Sequence, residues 1–286
     1  MELTEPTTWG NLPAIRLNHP SGAFALITLY GAHLVQWCSS DGRSHLFCSE
    51  KSSRDGKRAI RGGVPVIFPQ FGARGTGMRH GFARISNWRH ASSGSHDDGT
   101  CWSELVLTLA DVAATAALSW SQPFECRLRV ELQAQALAVH LHVANPGTAP
   151  FSFSGALHNY WQLDDLASSP IAGLQGCQFS DQTSNTSSAG IQDSAELVIS
   201  SKLDRIYSGA GNPVTLRQRH SQLTLTQLGF SDVVVWNPGA EDAAGLPDMA
   251  NEEYHRFVCI EPAQVAPHAL AGGASWHGWQ RIEVLA

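Results

Sequence analysis

Three stretches of this chain carry side chains that could do acid and base chemistry on a small polar ligand. The first is Arg61-Gly62-Gly63-Val64-Pro65-Val66-Ile67-Phe68-Pro69-Gln70-Phe71-Gly72, followed by His80-Gly81-Phe82-Ala83-Arg84. Its glycines and prolines would make a poor helix and a poor central strand, so it reads as a loop. A loop this rich in Phe, Val and Ile must be packed down. Arg61, His80 and Arg84 would then stand in fixed positions around a cleft. The alternative is that the two arginines are surface residues flanking a buried turn.

The second stretch runs from Phe151 to Trp161. Period two places Phe151, Phe153, Leu157 and Trp161 on one face, and Ser152, Ser154, Ala156, His158 and Tyr160 on the other. His158 thus projects among small and polar neighbours, as on a sheet that floors a polar cleft; a solvent-facing or hydrogen-bonded core histidine is the alternative. The third stretch, Arg256-Phe257-Val258-Cys259-Ile260-Glu261-Pro262-Ala263, reads as a buried strand that ends at Glu261, because Pro262 cannot donate to a ladder. Partial burial would raise the Glu261 carboxyl toward the range of a general base, whereas a nearby arginine would make it a structural ion pair.

Other signals carry no chemistry. Gly72-Ala73-Arg74-Gly75-Thr76-Gly77 lacks both the Lys-Ser/Thr of a phosphate loop and a βαβ setting, and reads as a mobile loop. Gly273-Ala274-Ser275-Trp276-His277 misses the last glycine of a nucleophile elbow. There is no H-E-x-x-H, and 13 histidines in one chain make chance proximity expected, so the sequence gives no case for a metal. The six cysteines are widely spaced without a C-x-x-C pair and read as reduced thiols of a cytoplasmic protein. A net charge of -6 argues against general binding to nucleic acid or a membrane surface, so any anion site must be local. Met1 to His19 lacks the pattern of a signal peptide, and no apolar run approaches the ~20 residues that span a bilayer.

The elements that must position these residues are strands. With 43% hydrophobic and 15% charged residues, 286 residues can build a sizeable core. From Leu128 to Ala134 the apolar residues are even-numbered, and from Leu137 to Val143 they are odd-numbered, which implies a hairpin or bulge near Gln133 to Ala136. Further strands are expected at 14–18, 23–37, 102–109, 151–163, 214–218, 222–228, 232–236, 257–261 and 276–285. The Ala-rich stretch 110–118 is the best helix candidate and is short. Residues 91–99 and 180–193 read as long exposed loops. The expected fold is all-β, a large antiparallel sandwich in one domain.

Taken together, these segments resemble the aldose 1-epimerase (mutarotase) superfamily, and specifically its glucose-6-phosphate 1-epimerase branch. The matching pieces are residues 60–72, His80-Gly81-Phe82-Ala83-Arg84, Ala156-Leu157-His158-Asn159-Tyr160, Leu203-Asp204-Arg205-Ile206-Tyr207, Val235-Trp236-Asn237-Pro238 and residues 257–263, in the family's order. The resemblance implies a single galactose mutarotase-like β-supersandwich domain over residues 1–286. Carried over position by position, it implies His158 as catalytic acid, Glu261 as catalytic base, Arg61, Arg84 and Asp204 as substrate-binding residues, and His80 as a second cleft histidine. Arg79 stands where Gln is common and would add a cation near the ligand or point away from it. Trp161 stands where a phenylalanine is common.

The implied reaction opens the hemiacetal ring of a hexose 6-phosphate, rotates the aldehyde and closes the ring on its other face. It needs an acid and a base on neighbouring oxygens and no cofactor. The expected partner is a small sugar phosphate, and the chain is expected to be monomeric. Two rivals use the same residues. A glycoside hydrolase would pair Glu261 with Asp204 and leave the histidine idle, and a non-catalytic sugar-binding protein needs only the cleft.

Overall fold

The computed structural model describes residues 2–184, 186–211 and 213–285. Among them the strands form three antiparallel sheets. A nine-stranded sheet runs in the order Glu196–Leu197, Ile171–Ala172, Val214–Gln218, Ser221–Leu228, Ser275–Leu285, Ala136–Ala144, Glu125–Leu132, Cys101–Thr108 and Arg89–Ser95. An eight-stranded sheet runs Ser188–Ile191, Gln178–Asp181, Leu203–Ser208, Asp232–Asn237, Phe257–Leu270, Phe151–Leu157 and Val66–Ile67, with Tyr160–Gln162 also pairing to Phe257–Leu270. The four N-terminal strands, Thr4–Trp9, Leu12–Asn18, Phe24–Thr28 and His33–Cys38, make a third sheet.

Alternation decides what each face does. In the eight-stranded sheet Phe153, Leu157, Tyr207, Val233, Val235, Val258 and Ile260 turn inward. They join Leu128, Val130, Leu141, Leu223 and Ile282 of the nine-stranded sheet in one continuous core, onto which Leu17, Ile27, Leu34 and Trp37 of the N-terminal sheet also pack. This is the antiparallel sandwich expected from the strand pattern. The outer face of the eight-stranded sheet carries a smaller apolar cluster that includes Ile67, Phe71, Ala156, Ile206, Val234 and Ala263. That face floors the cleft described below.

Several elements differ from the sequence reading. The expected strand 23–37 is two strands, because Gly31 and Ala32 take φ of 79° and 45° and turn the chain back. The stretch 91–99 belongs mostly to a strand, Arg89–Ser95, and 180–193 contains the hairpin strands Gln178–Asp181 and Ser188–Ile191. Arg89–Ser95 and Ser188–Ile191 are edge strands, bonded on one side and wet on the other, so their composition is that of a loop. The expected helix shrinks to Ala114–Ala117, and a second helix, Gly239–Ala244, had no periodic signal. The strand that carries Glu261 does not stop there but continues to Leu270 through Pro262. The carbonyl of Ile260 turns toward the gap between Phe151–Leu157 and Tyr160–Gln162, where the side chains of Asn159 and Trp161 each donate to it at 3.4 Å. Pro262, two residues on, faces the same gap, so its missing N–H interrupts no ladder bond. The hairpin at Gln133 to Ala136 is where the phase change put it, closed by Gln133 N–H to the Ala136 carbonyl at 2.9 Å.

The two signature loops are locked by backbone contacts that only glycine permits. Gly62 has φ of 120°, and a Cβ there would lie 2.4 Å from the Cys48 Cα; at Gly81, with φ of 67°, it would lie 2.1 Å from the Phe68 carbonyl oxygen. The second contact is a bridge between Phe68 and Gly81 that ties the Arg61 loop to the His80 loop. Buried His33 fixes the first loop from below, its Nε2–H donating to the Gly62 carbonyl at 2.7 Å. Among the described residues no helix is long and apolar enough to cross a membrane, and the six cysteines are unpaired.

Candidate active site

The register of the eight-stranded sheet sets two rows of residues side by side on its outer face. Ile206 lies opposite Val234, which lies opposite Glu261; one step along, Asp204 lies opposite Trp236, then Cys259, then Tyr160. His158 follows the strand Phe151–Leu157, its backbone N–H bonded to the Pro65 carbonyl at 3.0 Å, and so borders Glu261 where the ladder opens. Above this floor stand the loops with Arg61, Arg79, His80 and Arg84. All seven residues singled out from the sequence, Arg61, Arg79, His80, Arg84, His158, Asp204 and Glu261, line one cleft of about 640 Å³.

His158 and Glu261 form its centre. Their Nδ1 and Oε1 atoms are 3.2 Å apart, with Glu261 1% and His158 12% exposed. The contact lies off the line of an Nδ1–H hydrogen bond, and both His158 Nδ1 and Glu261 Oε2 are buried without a hydrogen-bond partner. Each orphaned group costs about 1–3 kcal/mol, a debt that hydroxyl groups of a ligand could relieve. No arginine pairs with Glu261 among the described residues, so the ion-pair alternative does not hold for it. The imidazole is fixed by stacking on Tyr160, with centroids 4.9 Å apart and planes at 10°, and by edge contacts with Trp236 and His80.

His80 is held in a left-handed backbone conformation, φ 65°, which a non-glycine residue keeps only under constraint. Its N–H donates to the Gly72 carbonyl at 2.9 Å, and the Gly72 N–H donates back to His80 Nδ1 at 3.3 Å. The neutral ring therefore carries its proton on Nε2, a donor for a ligand oxygen. The arginines are not equivalent. Arg61 bonds Asp248 Oδ1 through Nε at 3.2 Å and the Tyr160 hydroxyl through Nη1 at 3.1 Å, so here the structural alternative is part of the answer. Arg84 donates through Nη2 to the Arg79 carbonyl at 3.0 Å and leaves Nε unpartnered. The exposed Arg79 guanidinium and the Asp204 carboxylate make no hydrogen bond or ion pair among the described residues.

Burial sets the electrostatics of the pair. Desolvation holds Glu261 well above the usual carboxylate range, and Asp204 adds to the rise. Desolvation also holds His158 well below the usual imidazole range, with His80, Arg84 and Arg61 pushing the same way. The two shifts oppose each other in their effect on stability, but three further histidines are uncompensated. Burial lowers His33 and His45 to about 4, and lowers His80, helped by Arg84, to about 3. Each folded pKa lies below the unfolded value near 6.5, so the unfolded chain binds protons first. This stability is complete above about pH 6.5 and is lost as pH falls toward 4. Denaturant melts are expected to lose up to about 1.4 kcal/mol per pH unit for each histidine between pH 6 and 5. A pH-independent midpoint there would show that these rings are protonated in the native state.

Tyr160, Trp236 and Asp248 were not singled out as site residues, although they line the cleft. Tyr160 was legible in principle, since period two puts it on the His158 face. Asp248 was not, because it meets Arg61 across 187 residues of sequence with no local pattern.

Comparison with known proteins bears on the family and the fold. The aldose 1-epimerase family profile matches residues 13–283. A protein of Cenchrus ciliaris named "Putative glucose-6-phosphate 1-epimerase" is 30% identical over 281 residues, 95% of this chain and 84% of that one. A Salmonella typhimurium protein of the same name is 28% identical over 258 residues, covering 88% and 83% of the two chains. The crystal structure of a mutarotase, so named with the same qualifier, from Salmonella typhimurium superposes with a TM-score of 0.88 at 25% identity, over 99% of this chain and 93% of that one. A galactose mutarotase-like protein of Clostridium acetobutylicum shares the fold, with a TM-score of 0.76 at 16% identity over 99% and 97% of the two chains. With the profile spanning nearly the whole chain and the same sandwich in both solved structures, the chain belongs to the aldose 1-epimerase family, whose chemistry is the interconversion of sugar anomers.

Proposed function

We propose that this enzyme interconverts the α and β anomers of a hexose 6-phosphate, glucose 6-phosphate foremost, with His158 and Glu261 as the proton-transfer pair. The observation that carries the reading is the gathering of Arg61, Arg79 and Arg84 around the cleft of the buried pair in a chain of net charge -6. Arginine forks match phosphate oxygens through charge-assisted bonds, and a neutral sugar would leave Arg79 and the Arg84 Nε without use.

One group removes the proton of the anomeric hydroxyl while the other protonates the ring oxygen, and the C1–O5 bond breaks to give the aldehyde. Rotation about C1–C2 and reclosure on the other face return both protons, so the pair ends as it began. Glu261 as carboxylate and His158 as imidazolium fit these roles. Burial favours the uncharged form of each, with the shared proton on Glu261; a bound phosphate dianion would offset Arg61 and Arg84 and favour moving that proton to His158. His80 and Asp204 would hold sugar hydroxyls.

A pair that shares one proton is active between the depressed histidine and the raised carboxyl. Maximal velocity on glucose 6-phosphate is therefore expected to stay level from pH 8 to below 6.5, falling only where the pair takes up a second proton and both groups are protonated. A midpoint at the ordinary histidine value would mean that His158 titrates freely. Magnetisation-transfer NMR on equilibrated α and β glucose 6-phosphate tests the activity itself: faster exchange with enzyme supports the reading, and an unchanged rate refutes it. Release of phenol from an aryl glycoside would point instead to a hydrolase.

A further inference from the structure

Directly behind the pair lies a group that the proposed reaction leaves idle. Cys259 precedes Glu261 by two residues on one strand, so both side chains leave the same face. The thiol is fully buried and makes no hydrogen bond among the described residues. One ligand atom from each of His158, Cys259 and Glu261 lies within 4.8 Å of the other two. His158 Nδ1 and Glu261 Oε1 are already 3.2 Å apart, and the pair offers two orphaned lone-pair atoms, Nδ1 and Oε2.

We infer that His158, Cys259 and Glu261 form a binding site for a thiophilic divalent cation, Zn²⁺ or its analogue Cd²⁺, whose occupancy silences the enzyme. Zinc takes tetrahedral sets of N, S and O donors at roughly 2.0–2.3 Å, which places ligand atoms roughly 3.3–3.8 Å apart, so the thiol must close by up to roughly 1.5 Å. Three protein ligands leave a fourth position, and His158 and Glu261 both open onto the cleft, which supplies the route and a water. A sulfur donor selects zinc and cadmium over magnesium and calcium, whose preference is for oxygen. The arginines of the cleft oppose any cation, so the site depends on the negative charge of both the carboxylate and the thiolate. Burial holds the thiol proton tightly, and metal binding must release it, so affinity rises with pH. Once bound, the metal occupies the lone pairs that would carry the protons of ring opening.

Binding stands independently of the proposed reaction, whereas silencing rests on the assignment of His158 and Glu261 as the catalytic pair. The test therefore has two readouts on the purified chain. Cd²⁺ titration is expected to raise the ultraviolet thiolate-to-metal charge-transfer band to one equivalent, and Zn²⁺ to suppress anomer exchange reversibly, with recovery on chelation. Cys259→Ser, with Cys259→Ala as a second variant should Ser disturb the core, is expected to keep basal exchange, lose the band and need at least about 10²-fold more Zn²⁺ for inhibition. No band in the wild type, or an undiminished band in both variants, overturns the site. A band that depends on Cys259 with full turnover at saturating metal keeps the site and overturns both the silencing and the catalytic assignment. His140 and His277, whose Nδ1 and Nε2 meet at 3.2 Å on the nine-stranded sheet, serve as the control for zinc bound elsewhere. Inhibition that survives in the Cys259 variants and disappears in His277→Ala would move the effect there and overturn the proposal.

Discussion

Glu261→Gln and His158→Asn are each expected to slow anomer exchange by ~10² to 10⁴-fold, the contribution of a positioned proton-transfer group. At 10³-fold this is about 4 kcal/mol of transition-state stabilisation. Both changes nearly preserve volume and remove proton transfer. Glu261→Gln also removes an ionisable group that is 1% exposed, so the variant should melt no lower than the wild type. Because the two residues hand one proton back and forth, the double variant should be scarcely slower than the worse single one. Exchange is measured by NMR above the uncatalysed rate, with thermal melts as the folding control. Near-wild-type exchange in either single variant would remove that residue from the mechanism. Additive losses in the double variant would mean that the two do not act as a unit.

The second large effect is on substrate choice. Hydrogen bonds from arginine to an ionised group contribute ~1.5–3 kcal/mol each, so a phosphate held by two of them should favour glucose 6-phosphate over glucose by ~10² to 10⁴-fold in kcat/KM. The arginines should separate by how they are held. Arg84 keeps a free Nε, so Arg84→Ala is expected to lose roughly 10 to 10²-fold on glucose 6-phosphate and little on glucose. Arg61 also holds the hydroxyl of Tyr160, on which His158 stacks. Arg61→Ala should therefore lower both substrates, through binding for one and through placement of the imidazole for both. Equal efficiency of the wild type on free and phosphorylated sugar would refute the phosphate site and return the enzyme to an unphosphorylated aldose.

Much of the scaffold was legible because its strands are half-buried, and alternation then writes the buried face into the residue order. The hairpin joining Glu125–Leu132 to Ala136–Ala144 shows this, since a change of phase located its turn. The edge strands Arg89–Ser95 and Ser188–Ile191 were illegible for the converse reason: bonded on one edge and wet on both faces, they carry no apolar period. Pro262 misled because a missing N–H matters only where a neighbouring strand would receive it, and what lies beside a residue is not a local property.

The chain by itself determined the chemistry available to the site. Its residue types, the strand face of His158, the burial of Glu261 and the ordered motifs of the family can all be read in one dimension. Tertiary structure decided which of these groups meet. Alternation names the face of a strand but not its neighbour, and only the pairing of Ala156 with Ala263 and of Tyr160 with Cys259 brings the carboxylate to His158. Only the folded loops divide the arginines into one tied to Asp248 and Tyr160 and others with free donors. Registers and loop contacts between residues tens to hundreds of positions apart are fixed by packing of the whole core, a sum over many weak contacts that no short window of sequence contains.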